Sequence, residues 1–441
     1  MSLSAEWVDD SQEARELAGI QRRTVWVLSV GQVLGGLGFG ATVSLGAVLA
    51  ADIAGDESLS GLAAAGVTLG TAALAVPLAA LARRRGRRIS LASGMAIALV
   101  GVSLVVVAAA LRSFPLLLLA FGLVGAGQTA NLQSRFAAAD LATDATRGRD
   151  LSIVVWATTI GAVLGPNLVQ PGQAIGDALG MPPLTGPYVF TIVAQALSIV
   201  VYLGALRPDP LLVAQTVAQR RRDRVVAQIV KPDRPTSARY AIFANAAAHG
   251  VMVSIMAMTP VHMLHHGASL TIIGLTISLH IAGMYALSPV FGILADRVGR
   301  IPTIMVGQAL LAASLVTVFF GAESNTAVTV ALILLGLGWS AATVAGSALL
   351  TESSSEARRT TRQGRNDLSM SLVGAIGAIT SGIVLGWIGF TGLALVVGVA
   401  VIATVLLAPY GRIRPVEPDA QAPDAQPSDA PGATVDEDGG R

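Results

Sequence analysis

All five histidines of this 441-residue chain, and five of its ten methionines, fall within residues 249–284. Two groups in and beside this region have the spacing of one face of an α-helix. The first group is Asn245, His249, Met252 and Met256, and the second is His280 with Met284. Thioether sulfur together with imidazole suits Cu(I) better than hard cations, which prefer oxygen ligands. The spacing therefore predicts a metal site made of Met252, Met256, His280 and Met284.

Ordinary packing is the alternative explanation for these residues. Methionine in a membrane helix often fills irregular gaps, and a single membrane histidine often hydrogen-bonds to a neighbouring helix. With about 1.5 Å of rise per residue, however, both groups fall in the middle third of a membrane. We therefore expect the two groups to converge on one ion.

Other polar residues in the apolar stretches are candidates for a cavity. Four of them indicate either a capture site for incoming metal or a solvated helix end, and they are Met258, His262, His265 and His266. Asn245 and His249 are predicted to belong to the path of metal entry or to the cavity. A second set is predicted either to line a cavity or to hydrogen-bond between helices, and it consists of Gln32, Gln128, Asn131 and Arg135. Spacing alone leaves both pairs of alternatives open.

The composition places the chain in a lipid bilayer. Hydrophobic residues make up 53% of the sequence and charged residues 13%, against about 25% charged in a typical soluble domain. The mean hydropathy is +0.67. The chain has no cysteine, which excludes disulfides and thiolate chemistry. The pI of about 9.3 does not indicate nucleic-acid binding, because the basic residues follow the loops between apolar stretches.

Twelve apolar stretches are long enough to cross a membrane, which takes about 20 residues each. They lie near 24–50, 59–82, 89–111, 114–138, 151–169, 186–206, 240–264, 270–294, 301–320, 326–350, 368–388 and 391–410. The fold class predicted from them is an all-α membrane protein with twelve transmembrane helices in two six-helix pseudo-repeats. The predicted segments are an N-terminus (1–23), two halves (24–206 and 240–411), a basic linker (207–239) and a disordered, Pro- and Asp-rich tail (412–441).

Arginine and lysine are concentrated in alternate loops. Examples are "RRRGRR" (Arg83–Arg88) and the linker, whereas the six opposite loops together hold one arginine, Arg112. Basic loops stay on the cytoplasmic side, so both termini and the linker are predicted to be cytoplasmic. Residues 1–23 are polar and charged, and we expect no cleavable signal peptide.

Two short motifs occur in both halves. "RGRDLS" (Arg147–Ser152) recurs as "QGRNDLS" (Gln363–Ser369), and Gly86 recurs at Gly299, 213 residues later. Two six-helix halves with internal repeats are typical of transporters whose substrate site lies near the membrane midplane between the halves.

"GILADRVGR" (Gly292–Arg300) resembles the signature of the major facilitator superfamily, which follows the second helix of a half. This resemblance, which covers residues 24–411, implies the major facilitator fold. It also implies that Asp296 and Arg300 join helix ends on the cytoplasmic side and keep the outward-facing state closed there. The other residues of this gating motif are Gly292, Arg297 and Gly299.

The first half departs from this pattern. Ala79 stands where the motif has its first glycine, and Arg83 stands where it has the aspartate. A gate in the first half must therefore be built differently or be weaker.

"MVSIM" (Met252–Met256), followed by "HIAGM" (His280–Met284), resembles the paired motifs MxxxM and HxxxM of the CcoA-like copper importers, a bacterial branch of the superfamily. The resemblance implies that the methionines and the histidine of these motifs are metal ligands. It also implies a multi-pass protein of the bacterial inner membrane. The branch contains relatives suspected of carrying riboflavin, so copper and a flavin both remain open as substrate.

No enzyme is predicted. The sequence has no P-loop motif, so an ion or solute gradient should drive transport. No carboxylate falls inside a predicted span, which leaves His280 or His249 as the candidate proton carrier. Three functions remain open: import of Cu(I), uptake or efflux of a small organic solute such as riboflavin or a drug, and copper sensing or assembly without flux. We expect a monomer in the lipid bilayer that needs no resident cofactor and binds no nucleic acid. Its substrate is a copper ion if it imports Cu(I), and a small molecule if it carries an organic solute.

Overall fold

The computed structural model describes residues 3–55, 59, 61–224 and 233–412. The predicted tail lies outside the described residues from position 413 onward, and so do residues 225–232 of the predicted linker. Within the described ranges the regular secondary structure is entirely helical. The prediction of an all-α protein is therefore confirmed.

The helices cross two of the predicted segment boundaries, because the first begins at Leu3 inside the predicted N-terminus and another begins at Pro235 inside the predicted linker. The first half contains α1 (Leu3–Ala54), α2 (Gly61–Ala110), α3 (Phe114–Ala137), α4 (Arg147–Asn167), α5 (Val169–Ala178) and α6 (Tyr188–Ala205). One helix, α7 (Pro210–Arg224), lies in the predicted linker. The second half contains α8 (Pro235–His265), α9 (Leu270–Tyr285), α10 (Ser288–Arg297), α11 (Arg300–Gly321), α12 (Asn325–Glu352), α13 (Glu356–Leu406) and α14 (Ala408–Gly411).

Two of these helices are interrupted by a glycine and cover two predicted spans each. Gly86 breaks α2 with φ of 85°, and Gly389 breaks α13 with φ of 72°. Glycine is suited to these positions because it has no Cβ to clash at positive φ. The first break falls in the predicted loop Arg83–Arg88, and the second falls between the last two predicted spans.

Each predicted span lies on a helix. Within the described part of the chain, eight helices are long and apolar enough to cross a membrane, and α2 and α13 are among them. The predicted spans 24–50 and 151–169, which are not among these eight, lie on α1 and α4. The predicted span 270–294 is divided between α9 and α10.

Local sequence explains where some of these helices begin and how closely they pack. Ser269 and Ser324 are N-caps, whose hydroxyl oxygens accept hydrogen bonds from Ile272 N and Ala327 N, each at 3.3 Å. On α12, any side chain at Gly336 would collide with the carbonyl of His280 on α9. Small residues of this kind let membrane helices approach closely.

Each half has its own apolar core, and apolar side chains also cover the outer surface. The core of the second half includes Ile255, Leu332 and Leu335, and that of the first half includes Leu49 and Phe121. On the outside, Phe320 and Trp387 are each 82% exposed. Exposed apolar surface of this extent is expected where a protein faces lipid.

The two halves contact each other at the end of the bundle that carries the arginine-rich loops. Here α2 packs against α13, and α4 packs against α10. We call this end the basic end and define it by Arg87, Arg147 and Arg300.

Candidate functional site

Asp296 of the gating motif binds the backbone of the opposite half. Its carboxylate oxygens accept hydrogen bonds from Gly148 N and Arg149 N at the start of α4, both at 2.8 Å. A carboxylate is favourable there, because free N–H groups and the helix dipole make a helix N-terminus positive. Arg300 holds the carboxylate in place with an ion pair of 2.6 Å, and it also contacts Glu352 at 3.1 Å.

Glycines of the same motif allow this contact between the halves. A side chain at Gly292 would collide with the carbonyl of Gly148 and with the Ser152 hydroxyl. Gly299 has φ of 111° and precedes α11, a conformation that disfavours other residues. Arg297 is exposed. The predicted gating residues therefore lie together at the basic end, with the exception of the Arg297 side chain, which points away.

In the first half, Ala79 and Arg83 stand where the pattern has glycine and aspartate, and both contact the second half. The methyl group of Ala79 lies against Gly364 of α13, and a side chain at position 364 would collide with this methyl group. Arg83 donates a hydrogen bond to the hydroxyl of Thr361. Ala79 precedes Gly292 by 213 residues, so the two halves use equivalent positions for their contacts.

Arg87 is the first-half counterpart of Arg300, which follows it by 213 residues. It forms a buried ion pair of 2.8 Å with Asp140 of its own half. Its second terminal nitrogen donates to Gln363 of the second half at 2.6 Å. The arginine of the motif is thus kept in both halves, and in the first half Asp140 replaces the missing aspartate as its partner.

Above these contacts, a cavity lies between the two halves. Residues from α1, α3, α4, α9 and α12 line it: Gln32, Gly36, Gln128, Asn131, Leu132, Arg135, Val155, Thr158, Tyr285, Trp339, Ser340, Thr343 and Val344. Its volume is about 40 Å³, which is room enough for water but not for an organic solute. All four of the polar residues predicted on α1 and α3 are among those that line it.

Several polar atoms of these cavity residues are buried and lack a hydrogen-bond partner. They are Gln32 Oε1, Asn131 Oδ1, Arg135 Nε, Ser340 Oγ and Thr343 Oγ1. Buried polar groups are normally paired, and a group of unpaired atoms around one space indicates water or a ligand. Gln32 Nε2 donates to the carbonyl of Asn131 at 2.9 Å, which fixes the direction of its free oxygen.

Aromatic side chains form one wall of the cavity. Trp339 and Tyr285 meet edge to face, with ring centroids 5.9 Å apart. The indole N–H of Trp339 donates to His249 Nδ1 at 3.1 Å, so His249 is held by the cavity wall. One turn below His249 on α8, Asn245 donates to Asn366 Oδ1 of α13 at 2.8 Å. Sequence patterns did not identify Trp339 or Tyr285, since single aromatic residues are common in apolar helices.

The predicted metal ligands lie in and around the apolar core of the second half. Met252 and Met284 belong to that core, among Ile255, Leu311 and Leu315. Met256 and Met258 are partly buried and pack against the same core. The structure thus brings Met252 and Met284 into one cluster, with aliphatic neighbours around them.

His280 has one free ring nitrogen. Its side chain is fully buried, and Nδ1 bonds to the carbonyl of Leu332 at 2.8 Å, which makes Nδ1 the protonated nitrogen. Nε2 is buried without a hydrogen-bond partner. A histidine that binds a metal commonly donates its other nitrogen to a carbonyl in this way.

The three remaining histidines lie at the end of α8 that is far from the basic end. His262 bonds to the carbonyl of Ala322 through Nε2 at 2.7 Å and stacks on Phe390, with centroids 4.3 Å apart. His265 and His266 are exposed. Within the described residues, no group of three or more His, Cys, Asp or Glu side chains could hold a metal ion.

Asp367 is a buried carboxylate that the sequence analysis did not anticipate. Its side chain is 0% exposed and accepts from Arg135 Nη2 at 2.7 Å. Asp367 lies outside the predicted spans, so the expectation that no carboxylate falls inside one still holds, but a buried carboxylate does stand at the end of one. Asp367 precedes a predicted span by one residue, but α13 begins at Glu356, so Asp367 lies three turns inside the helix. The repeat "RGRDLS"/"QGRNDLS" could have indicated it, because its counterpart Asp150 is also buried.

Sequence and structure comparisons agree with this architecture. The profile of the Major Facilitator Superfamily matches residues 28–264 and 240–434. YddS of Bacillus subtilis, named an uncharacterized MFS-type transporter, is 37% identical over 393 residues, which are 87% of this chain and 89% of that protein. The riboflavin transporter RfnT of Brucella anthropi is 29% identical over 353 residues, which are 79% of this chain and 85% of that protein.

Among solved structures, the human organic anion transporter MFSD10 has the same fold, with a TM-score of 0.71 at 16% identity over 88% of this chain and 99% of that one. The family profile covers both halves, and the motif GILADRVGR lies where it holds the halves together. The chain is therefore a membrane transporter rather than an enzyme, and it belongs to the Major Facilitator Superfamily.

Proposed function

We propose that this transporter carries a small polar solute with a planar aromatic ring, for which riboflavin is the probe. The observation that carries the proposal is the cavity between the halves. Five buried polar atoms without partners belong to the residues that line it, and Trp339 and Tyr285 form its aromatic wall. Binding sites for such solutes are mostly apolar clefts with a few convergent polar groups.

The chemistry of a flavin matches these groups. Its ring system can stack on Trp339, because aromatic pairs favour offset or edge-to-face contacts. Its ring carbonyls accept hydrogen bonds and its imide N–H donates one, while its ribityl hydroxyls do both. Arg135 Nε supplies a donor, Gln32 and Asn131 supply acceptors, and the hydroxyls of Ser340 and Thr343 can act as either. The likeness to RfnT over 79% of the chain supports the same solute class.

The basic end is proposed to face the cytoplasm of a bacterial cell, with both termini on that side, because loops rich in arginine remain there. In this arrangement the contacts of Asp296 and Arg87 close the cavity from the cytoplasm. In the described state the cavity is too small for an organic solute, so it must widen before one can enter. Transport then requires the halves to part at one end at a time.

Counterflow in proteoliposomes tests this proposal. We expect vesicles with purified protein, preloaded with riboflavin, to take up labelled riboflavin, and protein-free vesicles to take up none. Replacing Ser340 and Thr343 together by Ala and Val removes two hydroxyl groups without changing helix packing much. Because each lost hydrogen bond contributes about 1 kcal/mol, uptake at low riboflavin concentration should fall roughly tenfold or more. Absence of counterflow in the wild-type protein would contradict the proposal.

Copper import is the second candidate, and the free Nε2 of His280 is the observation that favours it. Its Nδ1–H is anchored on Leu332 O, and Met284 lies one turn further along the same stretch. The thioethers of Met252 and Met284 share one core cluster, and with imidazole they would suit Cu(I). Packing of methionine among aliphatic side chains would produce the same cluster without a metal.

Uptake of radioactive Cu(I) by cells that produce the protein tests the second candidate. If copper is the substrate, Met252→Leu and His280→Ala should each abolish uptake, whereas Met258→Leu, about 120° away on the helix, should have a mild effect. The amount of protein in the membrane serves as the control for folding. Copper binding without uptake would indicate the sensor or assembly function, and uptake that survives both substitutions would exclude this site.

A further inference from the structure

The ion pair between Arg135 and Asp367 connects the two halves of the transporter. Arg135 lies near the end of α3 in the first half, and Asp367 lies three turns into α13 in the second half. The two side chains are 3% and 0% exposed, and the N–O distance is 2.7 Å. Because the partners belong to different halves, the pair must break whenever the halves separate at the basic end.

The polar groups around this pair satisfy it only in part. Asp367 Oδ1 also accepts from Asn366 Nδ2 at 3.2 Å, but Oδ2 is buried without a partner. Arg135 Nη2 also contacts the sulfur of Met370 at 3.4 Å, and its Nε is likewise unpaired. Removing two charges from water is costly, and only good geometry with complete hydrogen bonding offsets this cost. A buried pair with free atoms on both sides is poorly explained as a structural device.

Few other ionisable groups face the pair. Arg87 approaches Asp367 from α2, and His249 of α8 and Tyr285 of α9 approach Arg135. The charged groups that act most strongly on the Asp367 carboxylate are Arg135 and Arg87, both of them cations, and Arg87 is itself paired with Asp140. An ionisable carboxylate within membrane helices is a candidate site for ion coupling.

Arg135 also lines the cavity, so one face of the pair meets the proposed solute site and the other meets the closed basic end. By contrast, the buried pair of Arg87 and Asp140 lies within the first half. Separation of the halves leaves that pair intact. Of these two buried pairs, only the one between Arg135 and Asp367 reports whether the halves are closed.

We propose that Asp367 is the proton-binding site of this transporter and that its protonation releases Arg135 and allows the halves to part at the basic end. The proton passes from water in the cavity to a carboxylate oxygen of Asp367, forming one O–H bond, while Arg135 keeps its charge. The neutral acid no longer holds the guanidinium, which is free to turn to a solute in the cavity. When the basic end is open, Asp367 returns the proton to water on that side, and the pair forms again as the halves close.

The proposal rests on membership of the transporter family and does not depend on which solute is carried. The conformational change can therefore be measured without any solute. The chain contains no cysteine, so cysteines introduced at Arg84 and Ala357 can be spin-labelled selectively. Both positions are exposed, and they lie at the basic end in opposite halves. Pulsed electron paramagnetic resonance on the full-length protein in lipid nanodiscs then gives the distance between the halves over a series of pH values.

We expect the population with long label distances to grow as pH falls, because protonation removes the ion pair that holds the halves together. Asp367→Asn mimics the protonated acid and should show the low-pH distribution at every pH. The double variant Arg135→Gln with Asp367→Asn removes both charges, leaves neither unpaired, and should also lose the pH response. This double variant decides the question if the single variant does not fold.

Asp150→Asn is the matched control, because Asp150 is the repeat counterpart of Asp367. It is buried but bonds to Gln21 and Arg149 of its own half. This variant should retain the pH response. A pH response that persists in Asp367→Asn or in the double variant would overturn the proposal, and so would a wild-type distribution that does not change with pH. A failed riboflavin assay would overturn the proposed solute but leave this measurement valid.

Discussion

Gly292→Val should abolish transport while leaving the protein folded in the membrane. A single Cβ at this position already collides with the carbonyl of Gly148 and the hydroxyl of Ser152 across the interface between the halves. Overpacking of this kind typically costs about 1–3 kcal/mol, which is roughly a five- to hundredfold change in an equilibrium constant. The strain exists only when the basic end is closed, so the substitution should hold the basic end open. Counterflow measures the loss of transport. The distance between spin labels at positions 84 and 357 measures the opening of the basic end.

Gly274→Val on α9 is the control for this prediction. A side chain at Gly274 meets open space, and the substitution should leave both measurements unchanged. If Gly292→Val transports at the wild-type rate, the contact between Gly292 and Gly148 is not required for closure.

Asp296→Asn should have a smaller effect than Gly292→Val, because it weakens the hydrogen bonds from Gly148 N and Arg149 N but adds no bulk. We expect slower transport cycling with unchanged solute preference.

The fold was largely predictable because the constraints on membrane helices act locally. Apolar length specifies a span, and the arginine-rich loop around Gly86 specifies a turn, since each property is read from neighbouring residues. The motif from Gly292 to Arg300 likewise located the gating residues. It could not identify what Asp296 binds, because its partners are backbone N–H groups of α4, 148 residues earlier in the chain.

The contents of the site were less predictable, for a physical reason. Helical spacing shows that Met252 and Met256 share a face, but it does not show whether that face meets a cavity or an apolar core. Asp367 was missed because its burial depends on α2, α3 and α8 packing around the first turns of α13. Asp140 was missed for a similar reason, since it becomes the partner of Arg87 only when the loop after α3 returns to α2.

Trp339→Ala should weaken solute binding more than any other single change in the cavity. Trp339 forms the aromatic wall, donates to His249 at 3.1 Å and packs edge to face on Tyr285. Loss of one stacking side chain costs about 1–3 kcal/mol, so the riboflavin concentration for half-maximal counterflow should rise roughly five- to hundredfold. Trp339→Phe keeps a ring in the wall and loses only the indole N–H, so its effect should be several times smaller.

Stability must be separated from binding in this test, because truncating a buried tryptophan costs about 3–5 kcal/mol of folding free energy. Thermal unfolding of each purified variant gives its stability, and counterflow over a range of riboflavin concentrations gives its half-maximal riboflavin concentration. Trp387→Ala is the control, since Trp387 is 82% exposed on the outer surface and should affect neither. If Trp339 only supports the fold, the Phe variant will bind riboflavin as the wild type does, and counterflow in the Ala variant will fall only in proportion to the folded protein that remains. A rise in half-maximal concentration in protein that remains folded would instead place the solute against the indole ring.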